Sequence, residues 1–106
     1  MQIQVSGHQF EVSPALREYA IEKIEKIARH FERLIDVHVI LRTDKMVHTA
    51  EANIQAAGRT FNAVGDAADM YAAIDALSDK LDVQVRKYKE KLTDHHRSEN
   101  AKRAAI

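Results

Sequence analysis

From Met70 to Leu92 the chain sets Met70, Ile74, Leu77, Leu81, Val85, Tyr88 and Leu92 at steps of three or four residues. At roughly 100° per residue these side chains fall within a sector about 80° wide, which marks one long helix with a single apolar edge. Such an edge is stable only when covered, because most helical stability in a folded chain comes from packing an amphipathic face. The rest of the chain therefore has to supply a surface for it.

The sequence offers that surface as strands. Residues 47–56, VHTAEANIQA, put Ala50, Ala52, Ile54 and Ala56 on one side and Thr49, Glu51, Asn53 and Gln55 on the other. Such alternation predicts one buried and one wet face, and the small inward residues let helices sit close. Residues 2–6 predict a strand with Ile3 and Val5 inward, the β-branched run Asp36–Arg42 a second, and RTFNAVG, residues 59–65, the last. A turn is expected in TDKM, another at Gly58, and the last strand is expected to end at Gly65. Between the first two strands lies a helical pattern, with Ser13 as N-cap, Pro14 at the first helical position, and a stripe of Leu16, Ala20, Ile24, Ile27, Phe31 and Leu34. Its outer face carries Glu22–Lys26 and Glu25–Arg29 at the i,i+4 spacing that favours pairing. The final helix begins after GDAAD, with Asp66 or Asp69 as cap, and runs to about His95. The expected class is α+β, in the order β-α-β-β-β-α, with two helices on one face of a four-stranded sheet. Residues 1–95 form the expected domain, and residues 96–106 a flexible, frayed tail.

Composition removes several classes of function. With 106 residues and no cysteine, the chain suits one domain without disulfides, thiolate catalysis or cysteine-held metal, and a reducing, cytoplasmic setting. Neither a secretion signal nor an apolar run of about 20 residues is found, so no membrane partner is expected. A glycine-rich phosphate loop, a nucleophile elbow and a His-Glu-x-x-His helix are all missing, so no catalytic residue and no cofactor is expected. His8, His30, His38 and His48 stand singly on different elements, and His95 and His96 diverge by about 100° on a helix, so no metal site is expected beyond adventitious binding at a contact between copies. Tyr71 and Tyr88 read as packing residues rather than stacking platforms for RNA.

The feature left unexplained is charge. The chain is neutral, yet residues 1–78 carry eight basic and eleven acidic side chains, and residues 79–106 carry eight and five, −3 against +3. Lys80, Lys87 and Lys91 line up about a quarter turn from the centre of the apolar edge, over roughly 16 Å of helix. Arg86 and Lys89 sit on the outer and far flanks and widen the patch. Lysine is a mobile point charge suited to phosphates, so the pattern points to backbone binding rather than base reading. By itself the pattern leaves three readings open: an RNA-binding rail, a merely solvated helix whose cations favour its C-terminal end, and a surface for an acidic protein partner. On the first reading, changing the three lysines to alanine weakens RNA binding and leaves the melting temperature nearly unchanged.

The segments VSPALREYAIEKIEKIARHF, VHTAEANI and DMYAAIDALSDKLDVQVRKYKEK resemble the short ribosome hibernation promoting factors and their sister, ribosome-associated inhibitor A. The most specific part runs from Asp69-Met70-Tyr71-Ala72-Ala73-Ile74-Asp75 through Asp79-Lys80-Leu81. The resemblance implies a domain similar in outline to double-stranded-RNA-binding domains, seated in the small-subunit cleft on 16S ribosomal RNA in the path of messenger and transfer RNA. It implies a non-enzymatic translation inhibitor of stationary phase and stress, promoting or stabilising inactive 70S and 100S ribosomes alongside ribosome modulation factor, with neither DNA nor membrane as partner. Lys80, Lys87 and Lys91 carry over directly as RNA contacts, Arg86 and Lys89 as their neighbours, and Lys23 and Lys26 of the first helix more loosely. In one departure, Val83 stands where the family commonly has a basic residue. In another, the tail RSENAKRAAI resembles the inhibitor type without its acidic end, and promotion of 100S particles is the favoured outcome.

Overall fold

The computed structural model describes residues 2–29 and 34–105, with side chains to residue 88 apart from those of 34 and 35. Its elements are β1 (Gln2–Gly7), α1 (Pro14–Ala28), β2 (Leu34–Asp44), β3 (Val47–Ala56), β4 (Arg59–Ala67) and α2 (Met70–Ala105). The strands form one sheet in the order β1-β2-β3-β4, with β1 parallel to β2 and the other pairs antiparallel. The α+β order expected from the sequence is the order found. A parallel β1–β2 pair needs a crossover, and α1 is that crossover. Among the described residues, no helix is long and apolar enough to cross a membrane.

Both helices cover the same face. From α1, Leu16, Ala20, Ile24 and Ile27 are buried, and from α2, Met70, Ala73, Ile74, Leu77, Leu81 and Val85. They pack on Val37, Val39 and Leu41 of β2, on Ala50, Ala52, Ile54 and Ala56 of β3, and on Phe61 and Ala63 of β4. Burying each of the larger aliphatic side chains contributes roughly 1.5–3 kcal/mol, which is why this face holds both helices. Ser13 caps α1 by accepting a hydrogen bond from the Leu16 amide at 3.2 Å. Asp69 caps α2 by accepting from the Ala72 amide at 2.9 Å. The other candidate cap, Asp66, instead accepts from the Thr49 hydroxyl at 2.7 Å, on the uncovered face of the sheet.

Five local expectations are revised. Leu34, placed on the stripe of α1, pairs with Ala56 in the sheet; β2 begins there, and ladder pairing overrides a helical spacing that happened to continue. Phe31 of that stripe and Leu92 of the α2 stripe lie outside the described side chains. The β2–β3 turn is only Lys45-Met46, with Lys45 at φ 57°, because Thr43 and Asp44 already belong to the ladder. Gly65 does not end β4; it sits inside the strand where α2 passes, and a Cβ built there would meet the Leu77 amide nitrogen and lie 2.6 Å from the Ala73 carbonyl oxygen. On α1 neither Glu22–Lys26 nor Glu25–Arg29 closes; the ion pairs among the described residues are Lys23–Asp75, Arg42–Glu51 and Arg86–Asp82. The last helix, expected to run to about His95, continues to Ala105, since no proline or glycine stops it.

Candidate nucleic-acid interface

The basic residues expected to meet RNA divide between two flanks of α2. Lys80 and Lys87 stand on the flank over β4, both exposed. The Lys80 ammonium donates to the Val64 carbonyl oxygen at 2.7 Å. That bond fixes the position of the group without cancelling its charge, since a carbonyl carries none. Lys87 has no hydrogen-bond or ion-pair partner among the described residues. The side chains of Lys89 and Lys91 lie outside the described residues, so the rail is traced here over Lys80 and Lys87. Val83, half-exposed, interrupts the basic surface at the position where the family resemblance puts a cation.

Lys80 belongs to a row. Four residues on, the Gln84 side-chain amide donates to the Asn62 carbonyl at 3.1 Å, and four further on, the Tyr88 hydroxyl donates to the Ala57 carbonyl at 3.0 Å. Four residues of helix rise about 6 Å. Two residues of strand advance about 6.6 Å, so Lys80 and Gln84 reach alternate carbonyls of edge strand β4, Val64 and Asn62, while Tyr88 reaches past the strand to Ala57 in the β3–β4 turn. Two carbonyls of an edge that could otherwise pair with another chain are thereby occupied.

The other flank faces α1. There Lys23, Lys26 and Arg86 line a groove of about 220 Å³ together with Ile27, Ser78, Asp79 and Asp82. Two of its cations are already committed: Arg86 pairs with Asp82 at 3.0 Å, one turn back on α2, and Lys23 pairs with Asp75 at 3.3 Å. Lys26 is exposed and unpaired among the described residues. This flank mixes signs, and so does not continue the positive one.

Asp75 is also the acceptor for the Tyr19 hydroxyl, at 2.5 Å. The Lys23 ammonium stands 5.5 Å from the centre of the Tyr19 ring, and Tyr71 meets Tyr19 edge-on at 5.0 Å. The hydrogen bond from Tyr19, then that from Lys23, holds the Asp75 carboxyl below its ordinary range. The bond to Asp75 raises both Tyr19 and Lys23 above theirs. These four side chains clasp α1 to α2. Tyr71, 43% exposed, and Tyr88, half-buried, each have an aromatic partner, as expected of packing residues.

One basic residue escaped the sequence reading. Arg59, the first residue of β4, places its guanidinium carbon 5.1 Å from the centre of the Phe61 ring and 5.5 Å from that of Tyr88. Phe61, Gln84, Lys87 and Tyr88 complete a hollow of about 160 Å³ around it. In the sequence it is a lone arginine after a turn glycine, and only the fold brings it to Lys87. The uncovered sheet face is different again: it carries Ser6 bonded to His38, and Glu51 accepting from both Arg42 and Asn62. The bond from Asn62, then that from Arg42, keeps the Glu51 carboxyl below its ordinary range. Among the described residues, no group of three or more His, Asp or Glu side chains is arranged to hold a metal ion.

The family model described as "Sigma 54 modulation protein / S30EA ribosomal protein" matches residues 3–93. A ribosome hibernation promoting factor of Azotobacter vinelandii is 47% identical over 91 residues, covering 86% of this chain and 85% of that protein. The ribosome hibernation promoting factor of Escherichia coli K12 is 40% identical over 95 residues, covering 90% of this chain and 100% of that one. Among solved structures, a ribosomal subunit interface protein from Coxiella burnetii superposes with a TM-score of 0.82 at 36% identity, over 86% of this chain and 100% of that chain. The N-terminal domain of Thermus thermophilus Protein Y gives 0.76 at 28% identity, over 83% and 99%.

Proposed function

From the premise that the chain belongs to the Sigma 54 modulation protein / S30EA ribosomal protein family, we propose that it is a ribosome hibernation factor acting on the small subunit. The family is one of ribosome-binding proteins and not of enzymes. In this reading the protein works in the cytoplasm. It enters the channel for messenger and transfer RNA, lies against 16S ribosomal RNA, and blocks translation by occupying the path. It thereby promotes or stabilises inactive 70S and 100S particles in stationary phase or stress, with ribosome modulation factor as a companion. The names of the curated relatives favour promotion over inhibition alone.

The observation that carries the reading is the flank of α2 over β4, where Lys80 and Lys87 stand exposed with no carboxylate paired to either among the described residues. Amino groups on a rigid helix suit a phosphate backbone, which attracts through charge and needs no base-specific geometry. Lys91 and Lys89 continue the basic run along the same helix, with Arg86, Lys23 and Lys26 as a second tier along the groove between α1 and α2.

Sedimentation of the purified protein with small subunits at rising salt tests this. Changing Lys80, Lys87 and Lys91 together to alanine is expected to weaken binding by roughly tens of fold and to flatten its salt dependence. Binding that survives the triple change at parental strength removes the lysines from the interface. Gradient profiles of stationary cells lacking the protein then separate the two outcomes, since loss of the 100S peak marks promotion and its growth marks inhibition alone.

A further inference from the structure

Arg59 lies outside the basic run that the sequence displays, and the fold gives it an unusual setting. Its guanidinium stands over two rings, Phe61 at 5.1 Å and Tyr88 at 5.5 Å, which meet each other edge-on at 5.1 Å. The Tyr88 hydroxyl is in turn bound to the Ala57 carbonyl, which pins the β3–β4 turn to α2. The two rings, 75° apart, hold the guanidinium by cation–π attraction, which takes up none of its hydrogen-bonding capacity with an oxygen acceptor. Among the described residues its N–H donors have no such acceptor: Arg59 is exposed and takes part in no hydrogen bond or ion pair. Lys87 and Gln84 line the same hollow, and no described carboxylate does.

We propose that Arg59, held over Phe61 and Tyr88 beside Lys87, forms a phosphate-binding site for RNA that carries the contact surface of α2 onto the β3–β4 turn. A planar fork beside a mobile ammonium fits a phosphodiester, which presents two free oxygens and a negative charge. The site rests on the reading that this protein binds ribosomal RNA, and adds a residue and a direction to it. The backbone would leave α2 near Lys87 and pass over the turn, rather than follow the helix alone.

The test compares full-length Arg59→Gln, Arg59→Lys and Lys87→Ala proteins with the parent for binding to purified small subunits across a salt series, and records each melting temperature. Arg59→Gln is expected to weaken binding about five- to tenfold and to reduce the slope of log affinity against log salt by about 1, with its melting temperature close to that of the parent. Arg59→Lys should restore the slope but only part of the affinity, since lysine supplies the charge without the fork. If Arg59→Gln binds like the parent while Lys87→Ala is weakened, the Arg59 site is overturned and the hibernation reading stands. If affinity falls with an unchanged slope and a lowered melting temperature, Arg59 only braces the turn and the site is likewise overturned. Unchanged binding to small subunits with lost capture of an acidic protein overturns it too. A parent protein that does not bind small subunits at any salt overturns the hibernation reading itself.

Discussion

At the residue scale, the segment Asp69–Asp75, which identifies the family most sharply in the sequence, does fold work. Asp69 caps α2, Met70 and Ile74 enter the core, Tyr71 meets Tyr19, and Asp75 joins Tyr19 and Lys23. Ala73 is fully buried at the place where α2 touches Gly65. Gly65→Ala is therefore expected to cost roughly 1–3 kcal/mol in urea unfolding, because the added methyl meets helix backbone that cannot rotate away. Gly58→Ala has open space around it but φ of +80°, so it is expected to cost about 1 kcal/mol for backbone reasons alone. Equal losses at the two sites would refute the close approach. The clasp makes a prediction in pH. Because the carboxyl of Asp75 is lowered, its contribution is present above the ordinary carboxylate range and is lost as pH falls through its lowered value. Tyr19 and Lys23 are raised, so theirs is present below their ordinary values and is lost as pH climbs through the raised ones. Melts of Asp75→Asn should fall a few degrees below the parent at neutral pH and converge with it in acid; a gap that persists in acid would mean that the charge on Asp75 is not what holds the helices.

At the element scale, α2 does two jobs, and the sequence displayed only one of them. Its apolar stripe was legible because Met70, Ile74, Leu77, Leu81 and Val85 repeat at helical spacing and all five are buried. The bonds from Lys80 and Gln84 to β4 and from Tyr88 to the β3–β4 turn were not, because they depend on which carbonyls a neighbouring helix happens to pass. Arg59 was missed for the same reason, since its rings come from two elements. Leu34 shows the converse failure: its spacing fitted α1, but spacing cannot report that a strand partner, Ala56, was waiting. The row changes what the lysine substitutions should do. Lys80→Ala removes a hydrogen bond as well as a charge and is expected to cost about 0.5 kcal/mol, while Lys87→Ala should leave the melting temperature where it was. Thermal melts of the two single variants decide this. A shift for Lys87→Ala and none for Lys80→Ala would show that the ammonium of Lys80 does not hold the strand edge.

At the scale of the whole molecule, what matters is where the charge lies, because the sum is zero. One face of the sheet is covered by helices, the other carries a hydrogen-bonded polar surface around Glu51, and the positive flank borders them along β4. A polyanion held only by the general field of the protein would respond to net charge wherever it changed, whereas one seated on that flank responds to place, since exposed charges farther apart than about 8–10 Å are largely screened at moderate salt. Two substitutions that each lower the net charge by one unit separate these cases. Lys87→Gln removes a cation from the flank, and Gln4→Glu adds an anion at exposed Gln4 of β1, the opposite edge of the sheet, where Gln4 pairs in the ladder with His38. Lys87→Gln is expected to weaken binding to small subunits several-fold and to lower the salt slope by about 1, and Gln4→Glu to change neither. Equal weakening by both would mean that binding follows net charge, and the flank over β4 would lose its standing as the surface that meets RNA.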